Sequence, residues 1–281
     1  MNIVTTVSEM HSFIGSLRRE GKTIGFVPTM GFLHDGHLSL MRAARAENDV
    51  VAASIFVNPT QFGPSEDLGA YPRDLPRDLG LLAGAGVDLV WTPSPADVYP
   101  PGFQTWVTVE GLAQGLEGER RPGHFRGVAT VVTKLFLAVQ PQRAYVGQKD
   151  AQQAAVIRRM AVDLNFPVDV VVCPTVREPD GLAMSSRNSY LDPQERRAAP
   201  VLFRALEAAR RAHAAGEHDA DRLRQAMGAV LAEEPRANVQ YVSVADPDTL
   251  EEIHGPAARA LFSLAVFIGK TRLIDNLVVG G

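Results

Sequence analysis

The sequence predicts an α/β protein: a parallel sheet with helices on both faces over residues 1–176, then a smaller α+β domain over residues 177–281. Three features predict it. Strand-like and helix-like segments alternate through the first two-thirds, the pattern of parallel strands joined by crossover helices. Residues 50–57 form a continuous apolar run rich in β-branched side chains, as in a strand covered on both faces. Beyond about residue 189 the order changes to helices followed by strands, which marks a separate unit.

The elements follow in order. Residues 24–27 read as a short strand stopped by Pro28, and Leu38, Met41 and Ala44 as the apolar side of the next helix. Residues 50–57 and 88–91 are strands. Val128, Val131, Val132, Leu135, Phe136 and Val139 recur at helical spacing in one apolar stripe, the strongest periodic signal in the chain. Residues 144–146 form a short strand. Ile157, Met160, Ala161 and Leu164 mark a helix, and residues 169–173 a strand stopped by Pro174. In the second part, helices are expected at about 193–215 and 219–233, and strands at 239–244, 260–267 and 271–275. Residues 99–102 read as a surface loop.

Composition removes several function classes. With 28 basic and 32 acidic residues the formal net charge is −4; 21% of residues are charged and 46% apolar. This is too apolar for disorder and lacks the basic excess of a nucleic-acid footprint. Apolar stretches such as 50–57 and 260–269 fall far short of the roughly 20 residues that span a bilayer, so no membrane association is expected. Residues 1–5 lack the basic and apolar regions of a signal peptide, so a cytoplasmic location is expected. The single Cys173 excludes an intrachain disulfide and a cysteine-rich zinc site. Inside an apolar strand it reads as a small buried hydrophobe.

Two phosphate-loop look-alikes fail. Gly269-Lys270-Thr271 has Leu264 where a P-loop needs its first glycine, and it follows a strand without opening a helix. Gly84-Ala85-Gly86 has Leu89 where a dinucleotide fingerprint needs a third glycine, and reads as a helix C-cap and turn.

Three polar clusters carry chemistry. In residues 28–38, His34 and His37 stand three apart at a predicted strand-to-helix turn, and Gly36 permits close backbone approach. A helix start offers free N–H groups and partial positive charge, which favour phosphate. Two imidazoles there can donate to phosphate oxygens. The competing reading is a zinc pair or an idle turn, but zinc needs a third ligand that no nearby Cys/His cluster supplies. Residues 145–153 again leave a strand and enter a helix, and open parallel sheets bind ligands at the carboxyl ends of strands. Lys149 can neutralise phosphate, Asp150 can hold ribose hydroxyls and Gln153 a small polar substrate; standing alone, the segment reads as a solvated Lys–Asp turn. Residues 177–188 contain a Pro179-Asp180-Gly181 turn. Ser185, Ser186 and Arg187 follow on a flexible connection, two hydroxyls and a guanidinium suited to a polyphosphate. Two further polar islands are 56–63, with Gln61 at the carboxyl edge of a strand, and 120–127, with three arginines and a histidine. Their plain readings are a Pro/Gly turn and a basic surface loop.

Taken in order, these segments resemble the pantoate–β-alanine ligase family, within the His-x-Gly-His nucleotidyltransferase superfamily. The family's Pro-Thr-Met-Gly-x-Leu-His-x-Gly-His segment is matched by residues 28–37, Phe-Val-Asn-Pro-x-Gln-Phe by 56–62 and Tyr-Pro-Arg by 71–73. Arg-Pro-x-His-Phe-x-Gly-Val is matched by 121–128, Gly-[Glu/Gln]-Lys-Asp-x-Gln-Gln by 147–153 and Asp-Gly-Leu-Ala-[Met/Leu]-Ser-Ser-Arg-Asn by 180–188. The resemblance runs through Arg272-Leu273-Ile274-Asp275-Asn276 and covers nearly the whole chain. Gln148 stands where the family often has glutamate. Arg77 lies beside Asp78 where some relatives have paired aspartates.

The resemblance implies a Rossmann-like N-terminal domain binding ATP and pantoate, a C-terminal lid domain and a homodimer. It implies a ligase of pantothenate biosynthesis: ATP, (R)-pantoate and β-alanine give pantothenate, AMP and pyrophosphate through a pantoyl adenylate. The partners are small molecules, with no nucleic acid. The ATP site implied is Met30, Gly31, Phe32, Leu33, His34, Asp35, Gly36, His37, Gly147, Gln148, Lys149, Asp150, Val176, Met184, Ser185, Ser186 and Arg187. Of these, His34, His37, Lys149, Ser185, Ser186 and Arg187 meet the phosphates, with His37 the proton donor. Gln61 and Gln153 hold pantoate, and Gln61 is close to β-alanine. Magnesium is expected to arrive with ATP, with Asp78 as the one segment of possible contact. Two alternatives remain at this level: an adenylyltransferase of the same superfamily, with a nucleotide-sized acceptor, and a non-catalytic ATP-binding module.

Overall fold

The computed structural model describes residues 1–64 and 66–280; residue 281, the last of the predicted second domain, lies outside them. Two compact units emerge. The first comprises Met1–Ala113, Glu117–Gly147 and Gln153–Pro174; the second comprises Gln114–Leu116, Gln148–Gln152 and the chain from Thr175 onward.

The first unit is a six-stranded sheet whose pairings are all parallel. Its strands are β1 (Asn2–Val4), β2 (Ile24–Thr29), β3 (Val50–Ile55), β4 (Leu89–Trp91), β5 (Arg143–Gly147) and β6 (Asp169–Cys173), in spatial order β1-β4-β3-β2-β5-β6. The helices between them are α1 (Val7–Arg19), α2 (Asp35–Glu47), α3 (Leu75–Gly84), short α4 (Pro95–Val98) and α5 (Glu117–Arg120), α6 (His124–Val139) and α7 (Ala151–Asp163). Alternate strand residues divide the core in two, as the period of two requires. Phe26, Ala52, Leu89, Trp91 and Ala144 pack with Met10 and Ile14 of α1, the α6 stripe and Ile157 and Met160 of α7. Val27, Val51, Ala53, Val90 and Tyr145 pack with Leu40, Met41 and Ala44 of α2 and Leu82 of α3. The sheet is therefore covered on both faces, as expected, and all six α6 stripe residues are buried.

Details differ from the expectation. β2 continues through Pro28 to Thr29, because β5 pairs with β2 only at Gly25 and Phe26. Pro28 thus lies where one side of the strand no longer needs an N–H. β3 ends at Ile55, two residues before the end of the apolar run, and Pro59–Gln61 forms a 3-10 turn. β1, α1 and α3 escape the periodicity. β1 is a three-residue edge strand with only Val4 buried, and α1 buries only Met10 and Ile14. The start of α1 was nevertheless legible: Thr6 and Glu9 form a capping box.

The second unit carries an antiparallel sheet of β7 (Ala237–Ala245), β8 (Ala260–Ile268) and β9 (Thr271–Val279), with β8 central. The predicted helix at 193–215 is two helices, α8 (Pro193–Ala198) and α9 (Val201–Ala214), interrupted at Pro200, which cannot donate to a continuous helix. Leu202 and Leu206 of α9 and Leu223 and Met227 of α10 (Ala220–Ala232) pack on Phe262, Leu264 and Val266.

Candidate active site

In the first unit the order reverses between β2 and β5: the chain leaves β2 toward β3 on one side, while β5 lies on the other. Such a switch point is where open α/β sheets bind ligands, at the carboxyl ends. The segment after β2 is tightly built. Thr29 Oγ1 donates to the Ser54 carbonyl at 2.6 Å and accepts the Gly31 N–H at 3.2 Å. Gly31 and Phe32 then take left-handed conformations, φ +86° and +50°. Consecutive N–H groups of Phe32 and Leu33 both point at the carboxylate of Asp78, at 2.6 and 2.8 Å. A Cβ on Gly31 would stand 3.0 Å from Ile55 and 3.1 Å from Asp78, so glycine is needed for space as well as for φ.

His34 caps α2 and His37 lies in its first turn. The Gly36 N–H donates to His34 Nδ1 at 3.2 Å, and the His34 N–H donates to His37 Nδ1 at 3.3 Å. The ring centroids are 4.1 Å apart. A neutral ring whose Nδ1 accepts carries its proton on Nε2. The backbone thus sets the tautomer of each neutral ring, a reciprocal arrangement that spacing alone did not reveal.

Gln61 is brought to the same segment: its Nε2 donates to Met30 Sδ at 3.2 Å. It is buried, and its Oε1 accepts from Asn58 at 3.1 Å. The Tyr99 hydroxyl donates to Asn58 Oδ1 at 2.9 Å. His124 Nδ1 meets the Gln61 carbonyl at 2.8 Å, so it must carry the donated proton. Burial, and then the adjacent Arg121 guanidinium, push the His124 pKa down to about 4, which keeps the ring neutral. Arg121 in turn pairs with Glu66 at 2.7 and 2.8 Å. Residues 120–127 are therefore not a basic surface loop. They enter α6 with His124 and Phe125 buried, and Gly127 lets α6 press on the Gln61 turn, where a Cβ would come within 2.4 Å of the Thr60 carbonyl. Asn58, Tyr99 and His124 were missed as supports of Gln61, although Asn58 and His124 lie inside recognised segments. Gln153 is half-buried in the first turn of α7.

The turn after β5 is a 3-10 helix, Gln148–Asp150, with Lys149 Nζ 3.6 Å from Asp150 Oδ1. Cys173 is buried, and burial pushes its thiol pKa up. In the second unit, residues 176–184 form a small hairpin, and Ser185, Ser186 and Arg187, expected on a flexible connection, stand at the cap and start of a 3-10 helix. The Met184 N–H donates to the Val176 carbonyl at 3.0 Å and the Glu178 N–H to the Leu182 carbonyl at 2.8 Å, around the predicted turn. Arg196 pairs with both Glu178 and Asp180. Ser185 caps the 3-10 helix Ser186–Tyr190, its Oγ accepting the Arg187 N–H at 3.3 Å. Among the described residues, no group of three or more His, Cys, Asp or Glu side chains gathers as a metal cluster.

The whole chain has relatives of known name. Residues 2–278 match the family model described as pantoate-beta-alanine ligase. Pantothenate synthetase of Herpetosiphon aurantiacus is 62% identical over 280 residues, covering 99% of this chain and 100% of that one. Pantothenate synthetase of a Roseiflexus species is 63% identical over 279 residues, covering 99% of each. Among solved structures, Thermus thermophilus pantothenate synthetase superposes with a TM-score of 0.94 at 52% identity over 99% of both chains. Pantoate-beta-alanine ligase of Francisella tularensis, complexed with beta-gamma ATP and beta-alanine, gives 0.83 at 37% identity over 99% and 97%. With the six ordered motifs and the parallel-sheet site in place, the chain belongs to the pantoate–β-alanine ligase family.

Proposed function

We infer that this chain is a ligase that joins pantoate to β-alanine at the expense of ATP. The observation that carries the site assignment is the His34–His37 pair at the start of α2, where each Nδ1 accepts a backbone N–H of the same turn. In the proposed first step, a pantoate carboxylate oxygen attacks the α-phosphorus of ATP. The bond to the bridging oxygen breaks, pyrophosphate leaves and pantoyl adenylate forms. In the second, the β-alanine amine attacks the activated carbonyl, the bond to AMP breaks and the amine loses a proton. His34 and His37 donate to phosphate oxygens at the start of α2, where N–H groups and the helix field already favour negative charge. Lys149, Ser185, Ser186 and Arg187 add charge and donors to the polyphosphate. Gly147, Gln148, Asp150, Val176, Met184 and the segment 30–37 complete the nucleotide site. Gln61 and Gln153 hold pantoate, Gln61 also approaching β-alanine. Catalysis on this reading is positioning plus electrostatic stabilisation, with no covalent enzyme intermediate.

Magnesium enters as the metal of the nucleotide substrate. Asp78 does not fit as its ligand: the carboxylate is 1% exposed, both oxygens are held by backbone amides, and the Arg77 guanidinium lies 3.5 Å from Oδ1. A homodimer and a lid role for the second unit rest on the family resemblance. No described helix is long and apolar enough to cross a membrane. Light scattering on the purified protein tests the dimer. The deciding experiment for the reaction is pyrophosphate release from ATP with pantoate, with and without β-alanine. Release that needs pantoate, and pantothenate formed only when β-alanine is added, is expected; a dinucleotide product would replace this reading with nucleotidyl transfer.

A further inference from the structure

Asn276, in the middle of β9, is buried at 4% exposure, and its amide is committed to one turn. Nδ2 donates to the carbonyl oxygens of Gln148 and Lys149, both at 2.9 Å. Oδ1 accepts from Gln148 Nε2 at 3.0 Å. The amide is itself anchored. Its backbone N–H donates to Asp275 Oδ1 at 2.8 Å, and Asp275, 2% exposed, holds Arg177 in a two-point ion pair at 2.6 and 2.9 Å. The Arg177 guanidinium lies 4.2 Å over the Phe203 ring. All these groups belong to the second unit, with which the Gln148–Gln152 turn clusters.

Burying a primary amide is unfavourable unless its donors and acceptor are matched. Here all of them are matched by the turn that carries Lys149. Two donors on consecutive carbonyls fix the peptide planes on either side of the Lys149 Cα, and so the direction in which its side chain leaves the backbone. An aliphatic residue at 276 would take both of these donors away from the turn.

We propose that Asn276 is a positioning residue for Lys149: through the Gln148 and Lys149 carbonyls it sets the ammonium group for phosphate during adenylate formation. This rests on the reading of Lys149 as a phosphate-stabilising group.

A double-mutant cycle on the full-length protein tests it, reading pantoate-dependent pyrophosphate release. Lys149→Ala should lower the rate about 100-fold, the scale of losing one electrostatic stabiliser. Asn276→Ala should lower kcat roughly 10-fold or more, with the pantoate KM within about 3-fold. The double variant should be no slower than Lys149→Ala by more than about 3-fold, since the amide then has nothing left to position. Effects that multiply would show that Asn276 acts independently of Lys149 and overturn the proposal, as would an Asn276→Ala rate close to wild type. A Lys149→Ala rate close to wild type would instead overturn the Lys149 reading, seen in that single variant alone, and the proposal with it. If Asn276→Ala does not fold by circular dichroism, Asn276→Leu takes its place in the cycle. It stays close to the side-chain volume, adds no charge and removes the donors to the carbonyls.

Discussion

Asp78 holds Phe32 in a left-handed conformation: its Oδ2 accepts the Phe32 N–H at 2.6 Å while Phe32 sits at φ +50°. A non-glycine residue there is uncommon and costs energy, so it persists because its surroundings over-determine it. The other oxygen takes the Leu33 N–H, and the carboxylate, 1% exposed, comes from the first turn of α3. The loop that delivers His34 and His37 is therefore set by a charge from another element.

Asp78→Asn keeps the shape but offers an NH2 to one of the two N–H groups. We expect a stability loss of about 1.5–3 kcal/mol, the range for hydrogen bonds to a charged group, and pyrophosphate release slower by about 100-fold. Urea unfolding and the release assay measure the two. Wild-type activity in a folded Asp78→Asn protein would mean that the histidine loop does not need this anchor.

Gln61 contacts Met30 and is held by Asn58 from one side. An amide reserved for a small hydroxy acid should govern that substrate more than the nucleotide. Gln61→Ala is expected to raise the pantoate KM by about 10-fold or more, the cost of one or two lost hydrogen bonds, with ATP-analogue affinity nearly unchanged by calorimetry. Equal weakening of both ligands would argue against a dedicated pantoate role.

His124 gives a pH signature. Burial first, then Arg121, lower its pKa to about 4, against about 6.5 in the unfolded chain. Between these values the unfolded state binds a proton that the folded state does not, so stability rises with pH across that window. The contribution is complete above pH 6.5 and is lost as the pH falls toward 4, by at most about 3 kcal/mol. Urea midpoints at pH 7 and pH 4.5, for the wild type and for His124→Asn, check this. The wild type should lose more stability than the variant on acidification; parallel losses would show that another group titrates.

Arg187 stands in a turn whose geometry is kept by other bonds: its own N–H to Ser185 Oγ and Asn188 Nδ2 to the Ala183 carbonyl at 3.1 Å. Arg187→Ala should bind a non-hydrolysable ATP analogue about 10-fold more weakly or worse, as for a lost charge-assisted contact, with folding checked by circular dichroism. Unchanged affinity would remove Arg187 from the proposed phosphate set.

Much of the fold was legible because its determinants are local. The α6 stripe and the buried run at β3 follow from spacing within one element, and the Pro179-Asp180-Gly181 turn needs only its own residues. The two helices at 193–214 were merged because Ala, Arg and Glu suit a helix on both sides of Pro200. β1 and α1 passed unseen because short edge elements bury few side chains, although the Thr6–Glu9 box was present. The histidines, Gln61 and Lys149 could be picked out because each sits in a strand-to-helix or strand-end segment whose residue types already state a chemistry.

By itself the sequence determined the alternation of strands and helices, the position of the polar segments at strand ends and the family to which they point, since each is written in contiguous residues. Only the tertiary structure decided how those segments are held. The order β3-β2-β5 opens the sheet beside Pro28, and three supports come from far along the chain: Asp78 to Phe32 over 46 residues, His124 to Gln61 over 63 and Asn276 to Lys149 over 127. A buried Asp, His or Asn has the same side chain as an exposed one. What makes it a support is a backbone group at hydrogen-bond distance, and long-range folding supplies that group without leaving a local pattern.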